Sequence, residues 1–144
     1  MKSAEFMRAL PDAVRPLLPR QLQAFKVLLR PWLVQIHYGQ PLIHYEVVTH
    51  GERRGLLEIG LHFESRNPDE NARLLNGFMQ HLFEIKAELG NQVEAEMWDR
   101  GWTKVYETLP LETMNEAYLA RAAERLARQM TVLHPILDKV SRHA

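Results

Sequence analysis

The chain has 144 residues, 46% of them apolar, with 18 Lys+Arg against 18 Asp+Glu and no cysteine. A chain of this length buries about two-thirds of the surface it exposes when unfolded, which suffices for one domain without a disulfide or a structural metal. The lack of Cys removes thiolate ligands, thiol nucleophiles and redox motifs, and formal neutrality argues against a domain that coats nucleic acid or an acidic membrane.

No apolar run approaches the about 18 residues of a membrane span. The start, Met1 to Phe6, carries Glu5 and lacks the apolar stretch of a signal peptide. The expectation is a single cytoplasmic domain over residues 1–144, with no membrane or nucleic-acid partner, that meets a protein partner or a second copy of itself.

Pro11, Pro16 and Pro19 break residues 1–20 into short helical pieces. From Gln21, Leu22, Phe25, Leu28 and Leu29 recur at helical spacing, and Pro31 pushes Arg30 out of helical geometry, which predicts a helix over 21–30. Residues 32–38 fit a helical stripe or a strand. Gly39-Gln40 suits a two-residue type II′ hairpin and Pro41 cannot extend a helix, which favours a strand with Ile36 opposite Ile43 and Val34 opposite Tyr45.

Leu42 to Thr49 and Gly55 to Phe63 alternate apolar and polar residues on either side of a polar turn, His50-Gly51-Glu52-Arg53-Arg54, as half-buried strands of a meander do. Asn67-Pro68-Asp69-Glu70 opens a helix whose stripe is Leu74, Leu75, Phe78, Leu82, Ile85 and Leu89, with Gly90 as its stop. Val93 to Met97 and Trp102 to Tyr106 alternate about Asp99-Arg100-Gly101 and form a second hairpin. Pro110 closes it. A last helix from about Glu112 carries Leu119, Ala122, Ala123, Leu126, Met130, Leu133 and Leu137 on one stripe, with Pro135 kinking its final turns.

The fold class is α+β, in the order α-βββ-α-ββ-α, with an antiparallel sheet covered on one face by helices. From Gln21 to Val140 this order of elements resembles the type III secretion chaperone-like fold. The resemblance implies a homodimer that holds an extended segment of a client protein.

On the polar face of the meander, the predicted register sets Glu46 opposite Glu58 and His44 opposite Gly60, with Gln35 beside His44, His37 and His62 flanking Leu42, and Glu64 extending the row. Opposed carboxylates want a cation, a metal or a shared proton. Glu46, Glu58, His44 and His62 are therefore the catalytic candidates if the protein is a metal-dependent or acid/base enzyme. A solvated sheet face explains the same alternation without chemistry.

The second hairpin places Trp98 beside Trp102, Glu96 opposite Lys104 and Glu94 opposite Tyr106. This much aromatic area calls for a cover, and these six residues are the binding candidates. A third reading is an apolar cavity lined by Tyr45, Phe63, Val105 and Leu82.

No motif for a cofactor, metal or nucleophile is present. Ser3, Ser65 and Ser141 sit in no nucleophile elbow, the seven glycines are scattered, and Glu84-Ile85-Lys86 has a nuclease-like spacing but lies in a helix. His81 reads as a boundary residue, while Arg121, Arg125 and Arg128, offset by Glu112, Glu116 and Glu124, read as a solvated face. The sequence-level expectation is a non-enzymatic, chaperone-like interaction domain, homodimeric and without cofactor.

Overall fold

In the computed structural model, which describes residues 1–50 and 54–142, the chain runs α1 (Ser3–Val14), β1 (Lys26–Arg30), β2 (Leu33–His37), β3 (Ile43–His50), β4 (Leu56–Phe63), α2 (Pro68–Met79), α3 (Leu82–Leu89), β5 (Glu94–Met97), β6 (Thr103–Pro110) and α4 (Glu116–Arg142). The strands form one antiparallel sheet in the order β1-β2-β3-β4-β6-β5, and the helices pack on one of its faces: the architecture is α+β. The turn residues Gly51, Glu52 and Arg53, and His143, lie outside the described residues.

Alternation builds the core. Val34, Ile36, Tyr45, Val47, Leu57, Ile59, Leu61, Phe63 and Val105 leave the sheet on one side and are all buried against Phe6, Met7 and Leu10 of α1 and Ala122, Leu126, Met130 and Leu133 of α4. Asn67 caps α2 by accepting from the Asp69 amide at 3.0 Å, with Pro68 as its first residue, and Gly90 ends α3 at a φ of 114°.

Several local expectations are corrected. Residues 21–30 are not a helix: Arg20–Leu22 is a short 3₁₀ turn, and Lys26–Arg30 is a strand that pairs with β2 through the two-residue turn Pro31-Trp32. Val27-Leu28-Leu29 satisfies both periods over so short a run, and pairing to β2 decides between them. The β2–β3 connection is longer than a two-residue hairpin. Pro41 takes the second position of a turn closed by the Ile43 amide on the Gln40 carbonyl at 3.0 Å, so Ile36 meets Tyr45 and Val34 meets Val47.

Pro11 lies inside α1, while Pro16 and Pro19 do break the segment that follows. The predicted helix from Pro68 divides at Gln80-His81 into α2 and α3. The last helix starts at Glu116, four residues after Glu112, because the Asn115 side chain accepts from the Tyr118 amide at 2.9 Å and caps it there.

The arginine stripe on α4 is not simply solvated. Arg125 donates through Nε and Nη2 to the two oxygens of Glu107, at 2.9 and 2.8 Å, and Gln129 donates to the same carboxylate at 3.1 Å. Glu107 points into the core from β6 and is 1% exposed. Removing one partner of a buried pair leaves an uncompensated charge, which costs more than the pair contributes. Arg125→Met should lower stability by about 3 kcal/mol, and adding Glu107→Gln to it should recover most of that loss. Urea unfolding of the two variants against the parent protein checks this.

Candidate functional site

The sheet face away from the helices carries the titratable residues. The β3–β4 ladder differs from the predicted register by two residues: strand pairing runs to His50 opposite Leu56, which sets His44 opposite His62, Glu46 opposite Gly60 and Val48 opposite Glu58. The two glutamates do not oppose each other. This register relieves the like-charge pair and brings hydrogen-bonding partners to each carboxylate instead.

Gly60 keeps the strands close at this point. A Cβ there would lie 2.6 Å from the Tyr106 Cβ and 2.8 Å from the Val105 carbonyl, so any side chain would force β4 away from β6.

Glu58, 2% exposed, is the centre of the arrangement. One of its oxygens accepts from Lys104 Nζ and lies against His50 Nε2, each at 2.9 Å, while the other meets His62 Nε2 at 2.9 Å. The Glu46 carboxylate accepts from Gln35 Nε2 at 2.8 Å and lies 3.2 Å from His44 Nε2. His62 Nδ1 lies 3.2 Å from Glu64, and His44 Nδ1 donates to the Pro41 carbonyl at 2.8 Å. His44, His62, Glu46, Glu58 and Lys104 are all buried, so this is no solvated face. His37 lies opposite Lys26 and stands apart from the group.

Burial pushes the Glu58 carboxyl up, but the hydrogen bonds from His62 and Lys104 outweigh it and hold it down at about 2. Burial opposes charge on His62, and its hydrogen bonds to Glu58 and Glu64 prevail, raising it to about 9. Without a bound ligand His62 is thus an imidazolium clasped between two carboxylates.

The hairpin of β5 and β6 has the predicted register, with Glu94 opposite Tyr106 and Glu96 opposite Lys104. Its charged side chains find partners within the chain. Lys104 reaches Glu58 instead of Glu96, and Glu96 accepts from the Tyr106 hydroxyl at 2.9 Å. Glu94 accepts from Lys86 at 3.1 Å. The Trp98 and Trp102 rings meet at 5.3 Å, Trp98 stands edge-on to His62 at 5.7 Å, and Lys104 Nζ lies 5.1 Å from Trp98 and 4.1 Å from Tyr106. These aromatics roof the ion-pair cluster, and the segment 21–30 plays no part in covering them. Both tryptophans keep part of their surface in water.

A cavity of about 210 Å³ lies between the sheet and the end of α4, lined by Tyr38, Tyr45, Leu61 and His134 among others. Of the residues predicted for an apolar cavity only Tyr45 borders it; Phe63 and Val105 are fully buried in the core.

The feature that sequence periodicity misassigned is β1. It is an edge strand, and Val27, Leu28 and Leu29 are 38%, 38% and 39% exposed, with Trp32 of the adjoining turn at 52%. A shorter signal is the His-x-Glu triplet, which occurs at His44-Tyr45-Glu46 on β3, at His62-Phe63-Glu64 on β4 and, in the sequence, at His50-Gly51-Glu52.

Comparison with known proteins finds no family model, no curated protein and no solved structure that matches this chain. No helix among the described residues is long and apolar enough to cross a membrane.

The His62 linkage sets a pH dependence. A folded-state value of about 9 against the ordinary 6.5 means that the charged pair stabilises fully below pH 6.5 and that this share is lost as pH rises through 9. That interval corresponds to about 3 kcal/mol, counted once for the His62–Glu58 pair. Urea midpoints measured with a chelator present should fall between these two pH values in the parent protein. His62→Gln should remove most of that dependence.

Proposed function

We propose that this is a non-enzymatic interaction domain that holds an extended segment of another protein along β1. One observation carries the reading: the two edges of the sheet differ in length and charge, and only β1 has an uncharged apolar centre. β5 has four residues, Glu94-Ala95-Glu96-Met97, and its two carboxylates deter pairing. β1 instead presents Val27-Leu28-Leu29 without a charge, proline or bulge among them.

Every second residue of an edge strand turns its N–H and C=O away from its neighbour, so an added strand gains backbone hydrogen bonds and apolar contact together. The Arg30 guanidinium donates to the Leu29 carbonyl at 2.9 Å, a contact that such a strand would replace.

Charge chooses the occupant. Lys26 and Arg30 flank the apolar centre, so a second β1 centred on Leu28 would set Lys26 against Arg30 of its neighbour, which is unfavourable. A segment whose apolar centre is flanked by acidic residues matches instead. This chemistry agrees with the client-holding role that the type III secretion chaperone-like resemblance implies, and it moves the binding surface from the tryptophan hairpin to the opposite edge.

Fluorescence anisotropy with labelled Glu-Val-Leu-Val-Glu and Lys-Val-Leu-Val-Lys peptides tests the proposal. The acidic peptide should bind more tightly, weaken with added salt, and lose about tenfold in affinity with Leu28→Lys, an exposed position where the fold tolerates charge. Equal binding of the two peptides, or none, overturns the reading. So does light scattering that shows a dimer dissociated by Leu28→Lys, because the occupant of β1 is then a second copy.

A further inference from the structure

The His-x-Glu triplets at 44–46 and 62–64 lie on neighbouring antiparallel strands, with the histidines directly opposed, His44 to His62. Residues two apart share a face, so each triplet sends its imidazole and its carboxylate to the same side of the sheet. Because the strands run in opposite directions, Glu46 and Glu64 fall on opposite flanks of the histidine pair. The four side chains are related by an approximate two-fold axis through the ladder. We propose that His44, Glu46, His62 and Glu64 bind one divalent first-row transition metal ion. This inference is independent of the β1 edge.

The geometry is that of a ligand set. Four donor atoms, one from each residue, lie within 4.8 Å of one another. His44 Nε2 is 3.2 Å from Glu46 and 3.8 Å from Glu64, and His62 lies 3.2 Å from Glu64 through Nδ1 and 3.8 Å from Glu46 through Nε2. With metal–ligand bonds of about 2.0–2.2 Å, donors around a tetrahedral ion stand about 3.3 Å apart. A metal at the centre would need only small side-chain shifts.

Each imidazole already has its outward nitrogen engaged. His44 Nδ1–H donates to the Pro41 carbonyl, which leaves the Nε2 lone pair facing the carboxylates. His62 Nε2–H donates to Glu58, which leaves Nδ1 facing Glu64. Metal-bound histidines are held in this way, by a backbone carbonyl or a carboxylate on the far nitrogen. Gln35 likewise orients the Glu46 carboxylate.

Charge points in the same direction. Lys104 is engaged by Glu58, so among the described residues Glu46 and Glu64 have only the two imidazoles as cationic partners. A divalent ion compensates these two carboxylates and replaces the proton between His62 Nδ1 and Glu64, which leaves to solvent. Two imidazoles with two carboxylates suit Zn²⁺, Mn²⁺ or Fe²⁺ better than Ca²⁺ or Mg²⁺. Glu64 is the most exposed of the four and gives the ion its path from water.

The test is calorimetric titration of the full chain, stripped with chelator, with Zn²⁺ and with Mg²⁺. One equivalent of Zn²⁺ should bind, with no comparable uptake of Mg²⁺, and Co²⁺ in its place should show the visible bands of a nitrogen- and oxygen-ligated low-coordinate site. Glu64→Gln, conservative and at the rim, should weaken Zn²⁺ at least tenfold while leaving the circular dichroism spectrum unchanged. His44→Ala should abolish the Co²⁺ bands. Absence of saturable Zn²⁺ binding overturns the proposal, as does Zn²⁺ binding that Glu64→Gln and His44→Ala both leave intact.

Discussion

The pairing of β3 with β4 is the constraint on which the other features hang. Eight residue pairs, from Ile43–Phe63 to His50–Leu56, run through the middle of the six-stranded sheet. A slip by one residue would turn Tyr45, Val47, Ile59 and Leu61 to the wrong face and forfeit the core. A slip by two would keep every apolar residue on its side, so hydrophobic burial alone cannot exclude it. The polar face supplies that discrimination. Glu58 takes donors from His50 on β3, His62 on β4 and Lys104 on β6, and a two-residue slip would move His50 away while leaving a buried carboxylate under-compensated. A buried charge that loses a partner costs several kcal/mol. The ion-pair cluster therefore acts as a register pin for three strands, whatever else it does.

The same cluster explains the hairpin of β5 and β6. Its tryptophans and Tyr106 invite a reading as an exposed recognition surface when only the strand is considered. Lys104, however, must reach across to Glu58, and its ammonium lies against the faces of Trp98 and Tyr106 on the way. The aromatic rings lower the access of water to the carboxylates beneath and gain cation–π attraction in return. The roof has one flaw: the Trp98 indole N–H is buried with no hydrogen-bond partner among the described residues.

Much of this was legible in the sequence, and the parts that were not share a cause. Long alternating runs such as 56–63, the Asn67-Pro68 cap and the Asp99-Arg100-Gly101 turn are local signals, and each marks its element correctly. The strand Lys26–Arg30 is only five residues long, and Leu22, Phe25, Leu28 and Leu29 imitate a helical stripe; only the pairing with β2, a tertiary fact, breaks the tie. Both register differences arise in connections. The turn centres on Pro41-Leu42, two residues later than Gly39-Gln40 suggests, and β3 continues to His50, the first residue of the predicted polar turn. The proximity of His44, Glu46, His62 and Glu64 depends on that register, so candidate residues were recognisable one by one while their opposition was not. The Arg125–Glu107–Gln129 network joins β6 to α4 over spacings that no local pattern carries.

The two edges of the sheet bear on what kind of assembly this domain supports. A sheet with two open edges grows without limit, as each added strand offers a fresh template. Here β5 carries two carboxylates, occupied by Lys86 and the Tyr106 hydroxyl, and it is only four residues long. A strand added at β1 extends the sheet by one and stops there unless the partner brings an open edge of its own. The cationic ends of β1 further bias against copies of the same strand. An apolar edge between two charges, on a sheet whose other edge is short and acidic, disfavours self-polymerisation. The same asymmetry gives a chain of balanced total charge two edges of opposite local charge. Lys26 and Arg30 act at one edge, Glu94 and Glu96 at the other, and their sum at long range is close to zero.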